Sequence, residues 1–513
     1  KGLYRLSIFW LILASLFFYG WWNPKYLLLI FSSILVNYSL GISIQKNRNR
    51  YILILGILFN LSLIAYFKYA NFFVDTVNSI LSNQIVLNEI LLPLAISFFT
   101  FQQIAYLIDA YRGKTEEYNF LQYSLFVTFF PQLIAGPIVH HKEMMPQFSE
   151  GKLLGIKNKN LAIGGAIFLL GLIKKVVFAD TLALYANPVF EAGENGLKIA
   201  FLEAWIGSLA YTFQLYFDFS GYSDMALGLA RLFGITLPIN FFSPYKQTNI
   251  SDFWRHWHIT LSRLIRNYLW DPVSLFMTRL SVKYKFGNKR FFLATIFIPT
   301  TFTFFWVGLW HGAGLNFILF GLLHGFYLVL YNLWTNTKRN YPRIIFIRNN
   351  FVATFLARLI TFFSVSLAWV LFRSESLDGA LRIYASMFGI FKFFENQDPS
   401  KVIVNQDPTL AMISSSNVIL NPDTAFILIG LLGLLVWLTP NVAEWFREQK
   451  PALGLEDLNN NNNYYLLKEG EFLMDKIRKM SKFNITLMCI LLVLSMSSVM
   501  FFQGETEFLY FNF

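Results

Sequence analysis

The sequence predicts an all-α, polytopic integral membrane protein. Hydrophobic residues make up 55% of its 513 residues and charged residues 14%, where a soluble domain carries about 25% charged. Apolar runs long enough to cross a bilayer, which takes ~20 residues, recur from end to end. Lys and Arg collect between those runs, the pattern of basic loops retained in the cytoplasm. A membrane barrel would instead alternate apolar and polar residues in segments of about ten.

Taken in order, the runs lie near Tyr4–Trp22, Tyr26–Ile44, Tyr51–Phe73, Leu91–Ile108, Phe120–Val139, Leu161–Phe178, Phe201–Phe217, Phe291–Trp310, Phe317–Trp334, Val352–Phe372, Ala425–Leu438 and Ile485–Phe502. They amount to about 11–13 transmembrane or re-entrant helices. Gln45–Arg50 holds three bases, Arg255–Arg290 eight against the single acid Asp271, and Thr335–Asn350 four with no acid. These loops face the cytoplasm. Ser374–Asp423, with three bases and six acids, faces outward; Asn441–Lys482, with seven bases, returns to the cytoplasm and leaves Phe513 outside. The net charge of +12 is therefore a topology signal, and it speaks for a lipid bilayer and not for nucleic acid. Five runs separate Arg50 from Arg255, an odd number for two loops on one side. One of the five is re-entrant or lies along the surface, or a sixth is hidden.

No repeat and no domain boundary shows, so residues 1–513 read as one membrane domain with a motif-rich core at 92–373, an outward loop at 374–423 and a cytoplasmic loop at 441–482. The lone Cys489 excludes a disulfide framework and reads as a small apolar packing residue. The chain starts at Lys1, and its first run lacks a signal cleavage site, so that run reads as a retained helix.

Ionisable groups inside apolar segments are expensive and mark candidate sites. In "RHWHITLSR" (Arg255–Arg263), a continuous helix would place Arg255, His258, Ser262 and Arg266 within about 80° of one another. That stripe reads as an interfacial helix meeting lipid phosphates, or as a phosphate-binding edge beside a reactive His258. In "GLWHGAG", His311 follows an almost uncharged run, with Trp310, Gly312 and further glycines around it. Glycines let a substrate or another helix approach closely. In "QLYFDFSGYSDMALGLARLFG", Asp218, Ser220, Tyr222 and Asp224 either line a polar tunnel or form a satisfied ion-pair network between helices. His324, in "GLLHG", would lie ~20 Å from His311 on one straight helix and reads as a packing residue. Adjacent His140 and His141 read as solvent-facing loop residues.

No H-E-x-x-H or C-x-x-C set appears, so no metal site is expected; P-loop, dinucleotide and G-x-S-x-G patterns are absent too. Histidine chemistry inside a membrane remains.

The motifs "LPLAISFFTFQQIAYLIDAYRG", "FFPQLIAGPI", "GLIKKVVFAD", "FDFSGYSDMALGLARLFGI", "SPYKQTNISDFWRHWHITLSR", "GLWHGAG…GLLHG", "WVLFR" and terminal "FLYFNF" together resemble the membrane-bound O-acyltransferase (MBOAT) family. The resemblance is to the bacterial branch that contains the membrane subunit of alginate O-acetylation. It covers more than half of the chain and is dense from Leu92 to Arg373. It implies the MBOAT fold around a central tunnel, His311 of "WHG" as catalytic histidine and His258 of "WHITLSR" as second functional histidine. Arg255-His256-Trp257-His258 stands where the family usually shows Arg-Arg-Trp-His, and Arg266-Asn267-Tyr268 where it often shows Arg-Asp-Tyr. Family members also usually carry one more hydrophobic helix before the segment matching Leu11–Trp22.

The expected activity is acyl transfer from a cytosolic thioester, acetyl-CoA with no bound cofactor, to a hydroxyl of an exported polysaccharide such as alginate or another envelope glycan. The alternatives are D-alanyl or other acyl transfer to a wall polymer, lipid or protein, and a non-enzymatic lipid or polysaccharide transporter. Expected partners are the donor, the bilayer and extracytoplasmic proteins that carry acetyl groups or modify polysaccharide; the expected location is the bacterial inner membrane. A histidine of ordinary pKa ~6.5 accepts the hydroxyl proton, while Arg255, Arg263 and Arg266, with Ser262, would meet CoA phosphates. One difficulty is geometric. A straight helix from Phe291 rises ~30 Å by His311, far from the cytoplasmic basic segment. Both histidines share a site only if the His258 segment dips inward or the Gly308–Gly314 region lies in a tunnel, where irregular backbone is tolerated.

Overall fold

The computed structural model describes residues 2–81, 85–87, 90–116, 118–148, 157–340, 351–390 and 422–458, with isolated positions 493 and 509. The run Ile485–Phe502 with Cys489, most of the loops at 374–423 and 441–482, and nearly all of "FLYFNF" lie outside the described residues.

Among the described residues the fold is helical without a strand, and eight helical rods are long and apolar enough to cross a bilayer. Helices α1 (Gly2–Trp22), α2 (Tyr26–Asn47) and α3 (Arg50–Leu81) come first; α3 is continuous through a π-helical turn at Ala65–Tyr69. Their exposed Trp10, Phe17, Trp21 and Leu28 face outward as a lipid-facing wall should. Next come α4 (Ile96–Tyr111), α5 (Phe120–Thr128), α6 (Asn158–Glu194) and the 32-residue α7 (Phe201–Leu232).

The predicted crossing at Phe120–Val139 is not one helix. The ladder of α5 stops at Phe129, Pro131 opens a four-residue helix (Phe130–Leu133), and the chain turns back towards His140. Proline lacks the N–H that would continue the ladder, and nine residues rise only ~14 Å, half the hydrocarbon thickness. Four long helices, α3, α4, α6 and α7, then run between Arg50 and Arg255, an even number as the charge rule requires.

Helices α6 and α7 pack backbone to backbone. A Cβ on Gly171 would sit 2.6 Å from the carbonyl oxygen of Gly221, and one on Gly164 would sit 2.7 Å from that of Gly228. Both glycine pairs are seven residues apart, so one face of each helix is bare over two turns and the axes close up.

The remainder comprises α8 (Ile250–His256), α9 (Ile259–Ile265), α10 (Asp271–Lys283), α11 (Asn288–His311), α12 (Leu315–Asn340), α13 (Phe351–Arg373), α14 (Leu377–Met387) and α15 (Pro422–Leu438). "RHWHITLSR" is not a continuous helix. It breaks between α8 and α9: Trp257 is extended, and His258 takes the left-handed conformation at φ 44°. The expected stripe of Arg255, His258, Ser262 and Arg266 therefore does not form. The chain likewise breaks between α11 and α12, so His311 and His324 stand on two arms of a hairpin and not ~20 Å apart along one rod. Gly308 and Gly321 have no side chain where those arms touch.

Candidate active site

His258 is fixed from behind by Asn240. The amide Oδ1 of Asn240 accepts from the Thr260 N–H (3.4 Å) and the Thr260 hydroxyl (2.9 Å), and it lies 3.0 Å from His258 Nδ1. A backbone N–H only donates, so it fixes which end of the amide is oxygen. An amide oxygen only accepts, so His258 carries its proton on Nδ1 and presents Nε2 as acceptor. The backbone is pinned as well: Ile259 N–H donates to the Asn240 carbonyl and Phe242 N–H to that of His256, both at 3.0 Å. A left-handed non-glycine residue persists where its surroundings over-determine it, and such residues cluster at functional sites.

His311 closes the C-terminal end of α11, packed between Phe372 (5.0 Å between ring centroids) and Phe320 (5.8 Å). With His258 it lines one narrow cavity, whose other walls are Leu215, Trp254, Trp257, Leu261, Trp369 and Phe372. Its volume of 10 Å³ is at most one water's room. On its other side His311 borders a cavity of 240 Å³ that opens at the surface, lined also by Lys68, Asn71, Gly312, Ala313 and Phe317. The charge rule makes that the extracytoplasmic end. His324 stands just behind: Trp254 Nε1 donates to its Nδ1 at 3.3 Å, and Phe320 packs against both His311 and His324.

The other expected positions fall elsewhere. Lys175 joins Asp218 (2.7 Å) and Asp180 (2.8 Å), while Lys174 joins Asp224 (2.6 Å) and reaches Ser220 (3.5 Å). This is the ion-pair network between helices, here α6 and α7, and neither its members nor Tyr222 line a cavity at the histidines. Trp310 packs on Phe98 and Phe101 of α4; of the tunnel positions, Gly312 alone borders His311's cavities. Arg255 pairs with Asp252, Arg263 with Glu143 through both guanidinium nitrogens (2.5 and 2.9 Å), and Arg266 with Asp271; Ser262 donates to the Trp257 carbonyl. None of these four lines the histidine cavity.

The cytoplasmic end holds a cavity of 620 Å³ that the sequence did not reveal. Arg112, Lys114, Lys142 and Arg279 line it, together with Asp109, His140, Tyr268 and Asp271. His141 is not the solvent-facing loop residue expected but is buried, while His140 is half-buried and faces this cavity. His140 Nε2 (2.8 Å), His141 Nε2 (3.2 Å) and the Tyr268 hydroxyl (2.9 Å) converge on Asp109 Oδ2. Burial holds the His141 ring below the ordinary histidine pKa, against its hydrogen bond to Asp109. Asp109, His140 and His141 have the proximity that a metal site needs. However, Lys142 N–H points at His140 Nδ1 (3.3 Å), which keeps the proton on Nε2, and four cations line the same space. The cluster fits a hydrogen-bonded floor under an anion-binding vestibule better than a cation site.

Two residues that build the histidine site escaped the sequence reading. Asn240 carries no signal beyond its place in a polar loop. Lys68 had one: it is the single charged residue between Tyr51 and Phe73.

The sequence profile of the membrane-bound O-acyltransferase family matches residues 52–372. The chain is 43% identical to a peptidoglycan O-acetyltransferase of Helicobacter pylori over 414 residues, covering 74% of this chain and 73% of the relative. It is 40% identical over 404 residues to a probable alginate O-acetylase of Pseudomonas aeruginosa, covering 75% and 72%. A teichoic acid D-alanyltransferase of Bacillus subtilis is 28% identical over 283 residues, covering 55% and 69%.

Proposed function

This chain belongs to the membrane-bound O-acyltransferase family and is an acyltransferase of multi-pass membrane architecture; on that premise we propose that it moves an acetyl group from cytosolic acetyl-CoA to a sugar hydroxyl of a cell-envelope glycan across the bacterial inner membrane. The observation that carries this reading is that His258 and His311 line one buried cavity while His311 also borders a cavity open at the opposite end from the basic loops. Such an arrangement lets a donor and an acceptor meet one imidazole from opposite sides.

In the proposed reaction the acceptor hydroxyl enters through the outward cavity and gives its proton to His311 as its oxygen attacks the thioester carbonyl. The C–S bond then breaks, the ester stays on the sugar, and the proton passes from the imidazolium to the leaving thiolate. His258, with its proton on Nδ1, presents Nε2 to the same cavity, where it orients the donor or relays the proton. The aromatic walls exclude water, which would otherwise hydrolyse the thioester. A 10 Å³ chamber must widen to hold an acyl group, so the reaction includes an opening of Trp254, Trp257, Trp369 or Phe372.

The donor's phosphates would be held by Arg112, Lys114, Lys142 and Arg279 in the cytoplasmic vestibule. Tyr268 at its floor is seven residues, ~10 Å along the helix, from Leu261 in the histidine cavity. Extracytoplasmic proteins that modify the polysaccharide would dock around the outward cavity.

Purified protein in vesicles, given acetyl-CoA on one face and soluble N-acetylhexosamine or uronate oligomers on the other, should release thiol and yield O-acetylated oligomer by mass spectrometry. Thiol release without a new ester, or an ester bearing D-alanine and no acetyl from cells expressing the protein, would replace this reading.

A further inference from the structure

Helix α11 delivers His311 on its last residue, and the final carbonyls of a helix have no partner within it. Gly312 follows in extended conformation, φ −166°, so no left-handed turn folds the chain back over those carbonyls. Their partners come from α3. The Tyr69 hydroxyl donates to the Leu309 carbonyl at 2.6 Å. Lys68 Nζ donates to the carbonyl of Trp310 and, at 3.3 Å, to that of His311 itself. The same ammonium lies 5.8 Å from the centre of the Trp310 ring and lines the outward cavity beside His311. Both donors belong to the π-helical turn Ala65–Tyr69. Such a turn widens a helix by one residue, re-aims its side chains and is frequent at functional sites.

We propose that Lys68 is a positioning residue for the reaction: its ammonium binds the last two carbonyls of α11 and so fixes the main chain from which the His311 ring projects. A cation at a helix C-terminus is favoured by the negative end of the helix dipole, and the surrounding apolar wall strengthens that attraction. This explains why a lysine stands alone in an apolar crossing where methionine would insert at lower cost. The Tyr69 bond one residue earlier makes a two-point clamp that resists both tilt and unwinding of the last turn.

The inference rests on the role proposed for His311, and two measurements separate their failures. In cells whose only copy is a variant, alkali-released O-acetyl of the envelope and initial rates in vesicles are compared at equal folded protein. Lys68→Met should lower kcat at least tenfold with both KM values within about twofold, and Lys68→Arg, which keeps two donors, should recover most of the rate. Unchanged kcat in Lys68→Met, or equal losses in the Met and Arg variants, overturns the proposal. The second measurement needs no substrate. Modification of His311 by diethyl pyrocarbonate, followed by peptide mass spectrometry, should change rate severalfold in Lys68→Met; the wild-type rate there overturns the proposal even if the protein transfers no acetyl group. Should Lys68→Met not fold, Tyr69→Phe serves: it removes the neighbouring clamp without touching the charge and should alter the same rate by a smaller factor, and no change would overturn it.

Discussion

Two of the polar regions buried among the described residues have opposite designs. Between α6 and α7, Lys174, Lys175, Asp180, Asp218 and Asp224 neutralise one another across helices brought together by paired glycines. Around α8, α9 and the α11–α12 hairpin, His258 and His311 are surrounded by aromatic rings and line cavities. Both regions carry ionisable groups at a depth where such groups are costly. The first spends them on holding two helices together. The second keeps imidazole rings beside cavities. Burial of a polar group in a membrane helix thus marks importance, and adjacent space separates a site from a strut.

The comparison is sharpest at its two centres. His311→Ala should lower acyl transfer by ~10²-fold or more, the range of general acid–base catalysis, with unfolding in detergent unchanged; near-normal turnover would remove the site from this region. Asp218→Ala should do the reverse. Removing one partner of a buried pair costs about 3 kcal/mol or more, so folded yield and thermal midpoint should fall while turnover per folded molecule holds; a catalytic loss at normal stability would make the network part of the site.

Smaller effects test the flanks. Asn240→Leu removes the acceptor that sets the tautomer of His258 and should reduce kcat about tenfold, less than the ~10²-fold or more that a positioned catalytic proton itself contributes; an unaltered kcat would show that the ring needs no such orientation. In the vestibule, Arg112→Glu combined with Arg279→Glu should raise KM for acetyl-CoA severalfold with kcat little changed, and the effect should shrink as salt rises. Arg255→Ala, which removes an exposed ion pair worth at most about 1 kcal/mol, should change neither constant beyond twofold. A larger effect there would return donor binding to the basic stripe that the sequence suggested.

Several features were legible from the residues because they depend on neighbours in sequence. Eight of the apolar runs form helices long and apolar enough to cross a bilayer, since the backbone in lipid must satisfy its own hydrogen bonds. The odd count of crossings was legible too, and Pro131 after Phe129 marks where the surplus run breaks. His258 and His311 stood out because imidazoles are rare in this chain, and the vestibule did not because its four cations come from three separated segments.

Composition and charge distribution by themselves determined that this is a helical membrane protein, and the motifs' resemblance to a known family supplied the acyltransferase reading and the two histidines to follow. Those properties are local: hydropathy over one span, charge within one loop, identity within one short motif. Tertiary structure alone decided that the helix carrying His258 breaks, that Asp218 and Asp224 meet lysines away from the histidine cavity, that Arg263 pairs with Glu143, and that Lys68 reaches the end of α11. Each outcome depends on which atoms arrive from segments tens to hundreds of residues away, and whether a buried group meets a partner or open space is fixed only when those segments pack.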